Sequence, residues 1–218
     1  MWLSVATVSL CIARIAELGA ATRVSSGPVE IVPIVQLQVQ VEPLKRGDKP
    51  HRWYDASRIR QVDRLYVGED GCIGESNGEK IVDAHNVTHP RSRNHGRASG
   101  LSLGFTSHYR AMREKFGPRV INGAAGENVL IDIEDRVSRD HLTHAALRAR
   151  DGVEVRFAEV EVAEPCVEFS QFVMGVAPGD GTLRMRDPLQ QLRGGMRGFY
   201  VALARPVDLR LGDELVLP

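Results

Sequence analysis

The chain has no excess of charge of either sign: Lys plus Arg and Asp plus Glu each number 28 in 218 residues. Without a net field, neither nucleic acid nor an acidic membrane surface is implied as a partner, and a small molecule or another protein is expected instead. Cysteine is scarce too, at Cys11, Cys72 and Cys166. An odd number at wide spacing, with no CxxC, excludes a disulfide framework and fits a reducing, cytoplasmic setting. No apolar run reaches the ~20 residues of a spanning helix. The opening stretch MWLSVATVSLCI is apolar, but no Lys or Arg precedes it, and Arg14 and Glu17 interrupt the run soon after. A loosely attached extension and linker over residues 1–28 is therefore expected in preference to a secretory signal, with one folded domain over residues 29–218.

What the chain does have is most concentrated in Val153 to Gly175. Val153, Val155 and Phe157 alternate with Glu154 and Arg156, the period of a half-buried strand. Val160 and Val162 resume the alternation in the other phase, which predicts a bulge near Ala158 or Glu159. Pro165 cannot donate a ladder hydrogen bond, so the strand ends there and Cys166 sits at its exit. Glu168 and the Phe169, Phe172, Val173 spacing predict one or two helical turns next. A free cysteine is commonly a small buried hydrophobe, and a nucleophile or metal ligand only as thiolate, near positive charge or a metal. Arg97, Arg184, Arg186 and Arg197 are the cations on candidate loops.

Elsewhere, Val29 to Val41 alternates apolar residues with Gln and reads as a strand with one wet face. Trp53 and Tyr54 fall in a polar, turn-rich stretch and read as a packed cover. Ile59 to Val67 resumes a strand pattern, and Cys72 reads as packing. Asn77 to Ser99 holds Asp83, His85, His89, Arg91, Arg93, His95 and Arg97. It is either a solvated loop or an anion site, since Arg forks and protonated His grip carboxylate and phosphate oxygens. Helices are expected over Thr106 to Phe116, capped by Thr106 or Ser107, and over Ser138 to Arg150, with His141 and His144 on an exposed face. Gly123 to Asn128 is a glycine-punctuated loop that lacks a GKS or GKT ending, a weak phosphate-loop signal. Asp187 to Leu192 suggests a short helix, Phe199 to Leu203 a strand, and Val207 to Leu217 a terminal hairpin. Seven or eight short strands with two or three helices predict a mainly β protein, a β-barrel with a few covering α-helices.

Several of these pieces, in order, resemble the MOSC family, named for the C-terminal domain of molybdenum cofactor sulfurases and also found free-standing. GAAGENV at Gly123 to Val129 is similar to the family's Gly-Glu-Asn loop, and Glu164-Pro165-Cys166 with Phe169 to its proline-cysteine signature. Met196-Arg197-Gly198-Phe199-Tyr200 with Gly212-Asp213 resembles its closing strand and turn. Asp83-Ala84-His85 resembles its Gly-Asp-basic-His element, with Val82 and Ala84 departing from it, and Arg97-Ala98 resembles a basic position before the next strand. The resemblance spans residues 29 to 218.

It implies a MOSC-like β-barrel around a pocket, with Cys166 presented to it. One implied role is binding of the molybdenum cofactor (molybdopterin). Cys166 would then be catalytic residue and metal ligand, and Asp83, His85, Arg97, Gly126, Glu127, Asn128 and Arg197 the cofactor-binding residues. Some relatives reduce N-hydroxylated substrates, and nothing here reads as a flavin, haem or iron-sulfur site, so electrons would come from a separate donor protein. The other implied role is a sulfur carrier, Cys166 accepting persulfide from a separate pyridoxal-phosphate desulfurase, since no such domain is attached. A third possibility is a small-molecule barrel whose cysteine only packs.

Overall fold

In a computed structural model of the protein, the structure describes residues 29–91, 100–177 and 186–218. The expected extension over residues 1–28 lies outside them. The strands are β1 (Glu30–Gln40), β2 (Lys45–Arg46), β3 (Trp53–Tyr54), β4 (Ile59–Gln61), β5 (Arg64–Gly68), β6 (Gly71–Ser76), β7 (Glu79–Val82), β8 (Leu101–Phe105), β9 (Val129–Ile131), β10 (Ala146–Arg148), β11 (Glu154–Val162), β12 (Phe199–Leu203), β13 (Val207–Arg210) and β14 (Glu214–Leu217). Among the described residues four α-helices join them: α1 (Thr106–Phe116), α2 (Arg139–Leu142), α3 (Val167–Met174) and α4 (Arg186–Gln191).

Seven strands close a barrel in the order β14-β10-β11-β12-β8-β9-β1, and pairing of β1 with β14 shuts it. Closure leaves these seven no free edge. Strand β4 continues from the far end of β1, and β13-β5-β6-β7 form a second, four-stranded sheet. The barrel is antiparallel except for β8 and β9, which run parallel and are joined by α1. The expected mainly β barrel with covering helices is the observed architecture.

Inside it pack Ile34, Leu37, Leu101, Leu103, Phe105, Leu147, Val155, Phe199 and Leu215, all about 1% exposed or less. Each such apolar side chain contributes about 1.5–3 kcal/mol by leaving water. A second cluster, Tyr54, Tyr109, Met112, Phe169, Val173, Leu192 and Met196, fastens α1 and α3 to the outside. The predicted bulge is present: the β11–β12 register shifts between Phe157 and Glu159.

Four sequence expectations change. The predicted wet face of β1 is buried, because Gln38 and Gln40, 2% and 8% exposed, donate to the carbonyls of Gly123 and Gly126 at 2.8 and 2.7 Å. The helix expected over Ser138 to Arg150 shrinks to α2, and Ala146–Arg148 becomes a strand wedged between β11 and β14. Ladder bonds on both sides outweigh a helical pattern there. The terminal hairpin is split: β13 pairs with β5 and β14 with β1 and β10, so neighbouring strands enter different sheets. Helix α1 begins as expected but without a side-chain cap, since Thr106 Oγ1 instead donates to Asp132 at 2.7 Å.

Candidate functional site

Strand β11 ends at Val162, and shortly after it Cys166, itself in extended conformation, is the N-cap residue of α3. The Cys166 carbonyl accepts from the Ser170 N–H at 3.0 Å and its hydroxyl at 2.9 Å, which fixes the turn. The thiol is half-buried.

The β11–β12 register sets its neighbour. Val162 lies opposite Phe199, so the chain two residues before Phe199 runs beside the chain two residues after Val162. That places Arg197 at Glu164, whose carbonyl accepts from Nη1 at 2.9 Å; the same nitrogen is 3.7 Å from Cys166 Sγ. The guanidinium carbon stands 4.7 Å over the Phe169 ring, a cation–π contact. Burial opposes the Arg197 charge, but attraction to its neighbours, the Cys166 sulfur foremost, keeps its pKa above the ordinary value. Gly198 is obligatory in this turn: at φ 99° a Cβ would fall on the Leu103 carbonyl.

Behind the pair lies the Gly123–Asn128 loop. Asn128 Oδ1 accepts from the Ser102 N–H at 3.1 Å and hydroxyl at 2.9 Å, while Nδ2 donates to Gln38 O at 3.3 Å and Asp83 Oδ2 at 3.1 Å. Glu127 is 3% exposed; its Oε2 accepts the Tyr109 hydroxyl at 2.8 Å, and Oε1 lacks a partner among the described residues. Burial pushes the Glu127 carboxyl up to about 7. It fits because Gly104 has no side chain where Glu127 packs. Tyr109 also accepts the Ala125 N–H at 2.8 Å, and the Tyr54 hydroxyl donates to Ala124 O at 2.9 Å. Burial pushes the hydroxyls of both tyrosines up, so they stay protonated donors.

A cleft of about 1140 Å³ opens over this loop. Gly126, Glu127, His85, Arg197, Tyr200 and Arg52 line it, together with Lys45, Arg46 and Arg91. Cys166 is not part of its lining, but its sulfur lies against Arg197, which is. Of the residues singled out in the sequence, the structure thus gathers Arg197, Gly126, Glu127 and His85 around one opening, with Cys166 beside Arg197. Asp83, 0% exposed, lies beneath, accepting from Gln40 N at 2.7 Å, His85 N at 2.8 Å and Asn128, so Asp83 and Asn128 both hold backbone in place. His89 and Arg91 turn to Val41 O and Glu42. Arg97, Arg93, His95 and Arg184 lie outside the described residues. Among the described residues no three His, Cys, Asp or Glu side chains form a metal cluster, and no helix is long and apolar enough to cross a membrane.

Sequence reasoning missed Tyr54, Tyr109, Arg52 and Tyr200 as parts of the site. Tyr109 stood on the apolar face of a helix and Tyr54 beside an exposed Trp, so neither carried a polar signal. Only Tyr200, three residues after Arg197, was within reach of a motif argument.

No family model matches the sequence, and no curated protein matches it. Among solved structures, the chain is similar to the YuaD protein from Bacillus subtilis, with 15% identity, 87% of this chain and 96% of that one covered, and a TM-score of 0.53. It is also similar to a protein described as hypothetical, at 13% identity, 87% and 69% coverage, and a TM-score of 0.51. At these identities the likeness is one of fold.

Proposed function

We propose that the chain is a MOSC-domain protein that binds the molybdenum cofactor in the large cleft, with Cys166 as the protein's metal ligand. The observation that carries this reading is the Cys166–Arg197 pair at the exit of β11, with Arg197 lining a cleft that holds four further cations, Lys45, Arg46, Arg52 and Arg91, beside the carboxylates Asp48, Glu127, Glu161 and Glu164. The donor set fits the group. A metal that arrives with ligands of its own needs only one from the protein, and thiolate is a soft donor suited to it. The buried Nε atoms of Arg197 and Arg52 have no partner among the described residues, as donors awaiting an anionic ligand would.

In this reading Arg197 and Arg52 hold phosphate or other anionic oxygens, and the Gly126 and Glu127 edge of the loop meets the ring. His85 contributes from elsewhere in the cleft lining, Asp83 and Asn128 hold backbone in place beneath it, and Arg97 is a further candidate contact. When bound, the cofactor would supply two-electron reduction, with N-hydroxylated compounds as substrates and a separate protein as electron donor. Elemental analysis of protein purified without oxygen from a cofactor-making host tests this. Stoichiometric molybdenum in wild type and its loss in Cys166→Ala is the expected outcome; wild type without molybdenum would overturn it.

A second reading, a sulfur carrier, draws on the half-exposed Cys166 thiol at the head of α3, a place from which it could meet a partner desulfurase. Incubation with a desulfurase and cysteine should then add one reductant-labile sulfur, seen by intact mass and absent in Cys166→Ala.

A further inference from the structure

Beside the large cleft lies a second cavity of about 510 Å³, walled by Trp53, Tyr54, Phe172 and Val176, with Arg119 and Glu168 among its polar positions. Trp53 and Tyr54 line both cavities, so β3 is the partition between them. The Tyr54 and Phe172 rings are 5.2 Å apart, and Trp53 remains 45% exposed. A large aromatic face left open beside a concavity is a surface that a flat ring can cover.

The charges there are not equivalent. Glu168 already faces Arg52 at 3.7 Å. The exposed Arg119 side chain makes no ion pair or hydrogen bond among the described residues. It rests against Gly175, the left-handed C-cap of α3, where a Cβ would overlap its guanidinium. The missing side chain both ends the helix and leaves room for the cation. Aromatic walls therefore meet one carboxylate that has a partner and one cation whose donors are open.

We propose that this second cavity binds a flat aromatic molecule bearing an anionic group such as a carboxylate, its ring against Trp53 and Phe172 and its anion on Arg119. The proposal stands apart from the cofactor reading, since it uses neither Cys166 nor Arg197. A ligand-observed NMR titration of the full chain with 1-naphthoate tests it. Saturable binding is expected, weakened about tenfold or more by Arg119→Gln and by Trp53→Ala, and unchanged by Cys166→Ala. Loss of one charge-assisted hydrogen bond or one aromatic contact accounts for an effect of that size. Cyclohexanecarboxylate, an anion without a flat ring, should bind about tenfold more weakly than 1-naphthoate. Absence of saturable binding to wild type, binding that survives either the Arg119 or the Trp53 substitution, or loss of binding in Cys166→Ala would overturn the proposal. Arg119 is exposed, so its replacement reads binding without unfolding the chain. A negative molybdenum analysis would leave this result untouched.

Discussion

The floor and the rim of the large cleft are built on opposite terms. The floor, Gly123 to Asn128, is buried throughout, and its polar atoms are largely satisfied within the protein. The rim, Arg197 with Cys166 beside it, is half-buried, held by few bonds, and leaves Arg197 Nε without a partner among the described residues. A buried polar network is costly to break and therefore shapes a site, whereas loosely tied groups at an opening are the ones free to meet a ligand. Substitution in the floor should accordingly damage folding, and substitution in the rim should damage binding.

Asn128→Ala gives the largest expected effect. It strands Ser102, the Gln38 carbonyl and Asp83 together in the interior, and should lower stability by about 4 kcal/mol in urea unfolding at neutral pH. A loss below about 1 kcal/mol would mean that the floor is not the scaffold of the site.

Glu127 sharpens the contrast through pH. Below its ordinary value of 4.5 the carboxyl is protonated in both folded and unfolded chains. From there to about 7 the unfolded chain ionises first, so wild-type stability falls as pH rises through that window and levels off above it. The expected decline is on the order of 3 kcal/mol. Glu127→Gln should lack this part of the pH profile; parallel profiles for the two proteins would place the carboxyl in water instead.

The smallest folding effect belongs to the rim. Cys166→Ala should cost about 1 kcal/mol or less, a fall of about 2–4 °C in the thermal midpoint for a chain of this length. A destabilisation as large as that of Asn128→Ala would make Cys166 a core residue and erase the distinction between floor and rim.

Parts of this site were legible before folding. The phase change at Phe157–Glu159 announced the bulge, Pro165 announced the strand exit, and Gly117 stopped α1 where the pattern ended. These are local signals, carried by residues that alter their own backbone. Gln38 and Gln40 were misleading because alternation cannot reveal that a loop nearly ninety residues away will cover the polar face. Ala146–Arg148 was misleading because strand pairing on both sides overrides a short helical preference.

A mainly β chain and the position of Cys166 at a strand end could be read from local pattern alone, since periodicity and proline act over a few residues. It took the folded chain to bring Arg197 to 3.7 Å from the Cys166 sulfur, to bury Glu127, and to part β13 and β14 into different sheets. Each of those depends on which distant strands pair and what they bury, and such non-local contacts leave no mark on neighbouring residues.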